Sequence, residues 1–263
     1  MTREELIQAI PNIDQLYVLY SVHTRSPYVV CEEKTQDDAA VVYLDEVEAE
    51  QAARALTEEK KDVNALKIDD PSRILSTFTS FFLFGINAVE FHTGDGVIIL
   101  QLNEFIRRHD LSDIPEDRRP VENPSLQLTM LYFMQEFRRG LENPDNEKLR
   151  EMEEEMVVNV LRGKFLLPFR PGEGEMKDQV QLLMVKMQED KYMIPVFTDN
   201  FEFTKFRGPD TSISISVATM DNLLALPIPE NSLGIVVNPV GVSLALTKDW
   251  MQRVRDTKAT ESV

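Results

Sequence analysis

Residues 234–246 read Gly-Ile-Val-Val-Asn-Pro-Val-Gly-Val-Ser-Leu-Ala-Leu. Ile235 to Val237 is an apolar strand, Asn238-Pro239-Val240-Gly241 a tight turn, and Val242, Leu244 and Leu246 the inward positions of a returning strand. Asn opens such a turn well, Pro at the next position pre-sets φ, and Gly fits its end, so the stretch predicts a β-hairpin. Helical patterns flank it at 219–226 and 247–254.

A second stretch of the same outline lies upstream. Residues 85–91 climb, His92-Thr93-Gly94-Asp95-Gly96 turns, and 97–102 return, again between two helical runs. Working outward from both hairpins, the element orders match. Strands are predicted at 16–22, 27–33 and 39–44, then a helix behind Asp45, a strand at 63–68, and a helix started by Asp70 as N-cap with Pro71 at N1. Strands at 165–169, 180–187, 192–198 and 213–217 answer them. An offset of 154 pairs 29–45 with 183–199 without a gap, and an offset of 149 pairs Gly85 with Gly234. The economical reading is one α/β unit present twice. Between the copies, Pro115, Pro120 and Pro124 mark a connector. Two patterned helices follow, one through Leu128, Leu131, Tyr132, Met134 and Phe137, the other through Met152 and Met156. The expected fold is α+β: two similar units with mixed sheets at 1–110 and 155–263, joined by a Pro-rich, helical connector at 111–154. The connector helices are expected to glue the two units.

The second half carries Gly163-Lys164-Phe165-Leu166-Leu167-Pro168, then Tyr192-Met193-Ile194-Pro195-Val196-Phe197-Thr198-Asp199, then Gly234 to Pro239 with Leu244-Ala245-Leu246. In that order and spacing these segments resemble the SseB family, named for an enhanced-serine-sensitivity phenotype. The first half keeps the outline without the signature, since His92 to Gly96 replaces Asn-Pro, and looks like a diverged copy. The resemblance implies a compact α+β domain with a mixed sheet, no established catalytic residues and no known cofactor.

Composition narrows the partners. With 28 Lys+Arg against 45 Asp+Glu the net charge is −17, which repels phosphate backbones and anionic lipid. A protein partner, basic to match this surface, and a homo-oligomer are the partner classes left. The single cysteine, Cys31, cannot form an internal disulfide, and its apolar neighbours Tyr28-Val29-Val30 predict a buried, inert thiol. The N-terminus lacks a signal-peptide pattern and no apolar run reaches membrane-spanning length, so the cytoplasm is the expected location.

The chemistry-bearing motifs are missing: no dinucleotide or P-loop glycine pattern, no Gly-x-Ser-x-Gly, and no His-x-x-x-His or Cys-x-x-Cys. The histidines His23, His92 and His109 are scattered. No catalytic residue, metal or cofactor is therefore assigned. Four residues stand as ligand- or partner-binding candidates. Asp199, like Asp45, follows a strand and could present a carboxylate there, although a helix N-cap belongs at that position. Asn238 and Pro239 could offer an amide and a rigid edge, but form a turn without a ligand. Trp250 could anchor an interface or fill a core. Two functions remain: a non-enzymatic cytoplasmic interaction or adaptor module, or a small-molecule sensor or enzyme with its site in the cleft between the halves.

Overall fold

The computed structural model describes residues 1–32, 34–108, 110–172, 180–188 and 190–261. His109, residues 173–179 before the strand expected at 180–187, and Glu189 lie outside them. The chain forms two compact units. One is Met1–Arg119 with Pro124–Val157, the other Pro120–Asn123 with Val158–Val263.

The first unit opens with helix α1 (Arg3–Ala9), started by the Thr2/Glu5 capping box that the sequence predicts. Strands β1 (Leu16–Ser21), β2 (Ser26–Pro27), β3 (Val29–Cys31) and β4 (Asp38–Tyr43) follow, then helix α2 (Glu46–Glu58) and strand β5 (Val63–Ile68). Helix α3 (Pro71–Phe81) leads into the hairpin β6 (Ala88–Thr93) and β7 (Gly96–Gln101), and the short α4 (Leu102–Phe105) closes the run. All seven strands join one mixed sheet, in which β4 and β6 are the parallel pair. Alternation along β1 explains its apolar run from Leu16 to Leu19. Leu16 and Val18 face α1 and α3 across a core with Phe78, Phe81 and Phe91, while Tyr17 and Leu19 face Ala49 and Ala53 of α2. Helices therefore cover both faces of the sheet.

Helix α5 (Pro124–Phe137) also belongs to this unit. Leu131 enters the α1–α3 core, the Tyr132 hydroxyl donates to Asp38 Oδ1 (2.7 Å), and the Gln135 amide exchanges two 3.1 Å hydrogen bonds with the Val29 backbone. The division between the units falls inside the next helix, α6 (Asn146–Arg162).

The second unit contains β8 (Lys164–Pro171), β9 (Val180–Leu182), β10 (Val185–Gln188), β11 (Lys191–Val196), helix α7 (Asn200–Arg207), β12 (Ser214–Thr219), α8 (Met220–Leu224), β13 (Ser232–Val237), β14 (Leu244–Thr247) and α9 (Lys248–Glu261). Its pairings follow the order of the first. As β1 pairs antiparallel with β5 and β2, β8 pairs antiparallel with β12 and β9. As β4 joins β3 and runs parallel to β6, β11 joins β10 and runs parallel to β13. As β6 and β7 form a hairpin, so do β13 and β14. One link is weaker: where β1 and β4 share a ladder, β8 meets the β11 end only through the bridge Leu166–Phe197, so the strands divide into sheets of four and three.

Glycine is required where the hairpins enter. Gly234 has φ +139°, and a Cβ there would collide with the Leu246 carbonyl; Gly85 has φ +76°, and a Cβ would lie 2.5 Å from the Pro124 carbonyl oxygen.

Three expectations need correction. Residues 180–187 form two strands, because β9 pairs with β8 and β10 with β11. The helical run that follows the upstream hairpin is only the short α4, which ends at Phe105. Cys31 is exposed, since β3 runs from buried Val29 outward to an open end. Partial desolvation, with Asp38, Glu32 and Asp37 nearby, raises its pKa and disfavours the thiolate.

Candidate functional site

The parallel strands β11 and β13 end side by side in the second unit, the position where α/β sheets commonly carry their sites. Asn238, directly after β13, and Thr198, two residues past the end of β11, are both fully buried. Asn238 adopts φ +49°, a left-handed conformation that Asn tolerates better than most residues. The turn is closed by Gly241 N–H and Ser243 N–H, which donate to the Asn238 carbonyl at 2.9 and 3.0 Å. The Asn238 side chain is thereby aimed back at the β11 end. Its Oδ1 accepts from Thr198 N–H (3.1 Å), and its Nδ2 donates to Thr198 Oγ1 (2.9 Å).

The network continues into α7. Thr198 Oγ1 donates to Asp199 Oδ2 (2.7 Å), and Asp199 Oδ1 accepts the Glu202 N–H (3.0 Å), capping the helix. Asn123 closes the node from below: its Nδ2 donates to the carbonyls of Thr198 (2.6 Å) and Lys164 (2.7 Å). Glu202 is 1% exposed. Its Oε1 accepts from Lys205 Nζ (2.6 Å), while Oε2 has no hydrogen-bond partner among the described residues and points at Gly241, where a Cβ would lie 2.5 Å away. Burial raises the pKa of this carboxyl against the lowering influence of Lys205.

The structure thus brings together two of the four candidates, Asp199 and Asn238. Pro239 is half-buried in the adjoining turn, and Trp250 is half-buried in the first turn of α9 beside buried Met251. The polar groups of the node are directed at one another. They lock a helix start, a strand end and a turn, and the mutual hydrogen bonding leaves little capacity for a ligand. Thr198, Glu202, Gly241 and Asn123 were missed as members. Thr-Asp-x-x-Glu before a helix was the available signal for two of them; Asn123 and Gly241 reach the node through tertiary contact alone. Among the described residues no group of three or more His, Cys, Asp or Glu could hold a metal ion.

The same unit has an open flank. β12 pairs only with β8, leaving one long edge of the three-stranded sheet uncovered among the described residues. Residues 211–219 carry neither charge nor proline, and Ile215 and Val217 are 40% and 60% exposed.

These features define an α+β protein whose second unit is built on a buried Thr-Asp-Asn node and also carries an open sheet edge. Residues 140–252 match the sequence model of the family described as the SseB protein N-terminal domain. The second half of the chain is thus similar to that SseB domain, in keeping with the residues quoted above. No curated protein matches the chain. Among solved structures, Tic22 from Plasmodium falciparum is 12% identical, with 97% of this chain and 98% of that chain covered and a TM-score of 0.23. Anabaena Tic22 (protein transport) is 11% identical with the same coverage and a TM-score of 0.21. At these TM-scores the likeness carries no argument about fold or function. Among the described residues no helix is long and apolar enough to cross a membrane.

Proposed function

We propose that the protein is a non-enzymatic, cytoplasmic interaction module that receives a protein partner on the β12 edge of its SseB-like domain. The observation that carries this reading is the strand itself. An open edge offers unpaired N–H and C=O groups, and proteins ordinarily blunt such edges with Lys, Pro or a bulge. β12 has no Lys or Pro and instead exposes Ile215 and Val217. Strand addition by a partner satisfies the edge and covers both side chains. A photo-crosslinking residue at position 217 should capture one discrete species from cells of the source organism, and Ile215→Lys should abolish that product without shifting the melting temperature. Absence of any crosslink, or crosslinking indifferent to Ile215→Lys, defeats the reading. A product of twice the chain mass makes the partner a second copy.

The two units are further proposed to be copies of one ancestral unit, corresponding to 1–110 and 155–263. The recurrence of the strand pairings in the same order and sense, all but the β1–β4 ladder that is reduced to the Leu166–Phe197 bridge, supports this. An experimental structure whose halves fail to superpose strand for strand would defeat it.

A further inference from the structure

The first unit has an open edge of a different chemical character. β5 pairs only with β1, over its full length from Leu16–Ile68 to Ser21–Val63. Antiparallel geometry sends the backbone groups of alternate residues toward the partner and the rest outward. The Val22 N–H donates to the Asp62 carbonyl on the β1 side, so Asn64, Leu66 and Ile68 also face β1, while Val63, Ala65 and Lys67 face out. The outward groups of Val63 are already taken: the Thr57 hydroxyl donates to its carbonyl and accepts from its N–H, both at 3.2 Å. That leaves the N–H and C=O of Ala65 and Lys67 as four open positions in a row among the described residues.

A groove of about 830 Å³ lies against these positions, lined by Glu50, Ala53, Arg54, Thr57 and Glu58 of α2 and by Ala65 and Leu66 of β5; Arg54 is held by Glu50, which leaves Glu58 as its carboxylate outside an ion pair among the described residues. Leu66 is 42% exposed on the face away from α2. The rim is acidic. Residues 45–70 hold nine Asp and Glu against four Lys and Arg, and three of those four bases are already in ion pairs, Arg54 with Glu50, Lys61 with Glu59 and Lys67 with Asp69. The whole first unit carries 31 acidic against 16 basic residues, whereas the second carries 14 against 12.

We propose that the β5–α2 groove binds an extended basic peptide segment of a partner protein, added as a strand to β5. The backbone of Ala65 and Lys67 supplies the main-chain hydrogen bonds, which are indifferent to sequence. Side chains on one face of the added strand then lie beside Glu50 and Glu58 and are selected as Lys or Arg; those on the other lie beside Leu66 and are selected as aliphatic. The inference is independent of the β12 reading, since it concerns another unit, another edge and a charged ligand.

The probe is a fluorescein-labelled hexapeptide of alternating Lys and Val, titrated against the full chain at low salt by fluorescence polarisation. Saturable binding is expected, with backbone amide shifts of Ala65 and Lys67 among the largest in a heteronuclear NMR titration. The Glu-Val counterpart should bind at least tenfold more weakly, as should a Lys-Val peptide N-methylated on alternate residues. Charge reversal at the exposed helix surface, Glu50→Lys with Glu58→Lys, should weaken binding at least tenfold and flatten its salt dependence. Ala65→Pro, tolerable because the lost N–H faces out, should do the same at any salt. Equal binding of the Glu-Val peptide, indifference to both sets of variants, or shifts mapping away from β5 would overturn the proposal. So would a concentration-dependent dimer abolished by Ala65→Pro, which would assign the edge to a second copy.

Discussion

Asn238 does three jobs that no other residue does together. It accepts a left-handed backbone, offers a carbonyl to two turn N–H groups, and ties the β13 end to Thr198 with its amide. Asn238→Ala leaves the buried Thr198 N–H and hydroxyl short of partners, at about 1–3 kcal/mol for an unsatisfied buried group. Asn238→Gly, which relieves the backbone yet drops the same bonds, should cost a similar amount in urea melts; a variant as stable as the parent would show the amide to be dispensable. Glu202 behaves differently. Burial raises its pKa, so the folded state binds more protons than the unfolded state in the window above the unfolded value. Stability contributed by the neutral carboxyl is present at low pH and lost as pH rises through that window. Glu202→Gln, neutral throughout, should therefore gain on the parent as pH rises above the ordinary carboxyl value of 4.5, measured as the difference between paired urea midpoints. A difference that stays flat with pH would mean that the ion pair with Lys205 outweighs desolvation. Cys31, exposed but set among carboxylates, should react fully with a thiol reagent in the native state, faster with each step in pH to above 9. Native-state protection at high pH would contradict the exposure.

At the scale of elements, the apolar patterns gave strand positions well and partners poorly. The 180–187 stretch is mostly apolar, broken by Gln181 and Lys186, and nothing in its periodicity shows that one end joins β8 and the other β11. Hairpin turns were legible because Asn-Pro and Gly chemistry is local; the Thr198–Asn238 contact was not, because it spans 40 residues. Helix caps Asp45, Asp70 and Asp199 were equally local and stand as read. Helix α5 shows what a stripe alone hides. Tyr132 bonds Asp38 and packs on the first core, whereas Phe137, in the same stripe, is 58% exposed and stacks on Phe133 (5.3 Å). Tyr132→Phe should cost about 1.5–3 kcal/mol, the range for a hydrogen bond to a charged group. Phe137→Ala should cost no more than about 0.5–1.5 kcal/mol, the value of an aromatic pair. Thermal melts of the two variants, run side by side, test the ranking; the reverse order would place α5 wrongly on its sheet.

At the scale of the molecule, the charge is unevenly placed, and this has a thermodynamic consequence. The first unit, with 31 acidic and 16 basic residues, repels itself, and the nearly balanced second unit does not. Screening shortens the reach of that repulsion to about 8 Å at physiological ionic strength, so salt should stabilise the first unit selectively. The sequence supplies a probe that separates the two: Trp250 is the single tryptophan, and it lies in the second unit. Its fluorescence should report unfolding of that unit alone, while far-UV circular dichroism reports both. Raising sodium chloride from about 20 to 300 mM, a change from weak to strong screening, should move the dichroism midpoint up by several degrees and leave the fluorescence midpoint nearly fixed. Coincident midpoints that shift together would mean that the units unfold as one cooperative body, with α6, which runs through the division, carrying the coupling.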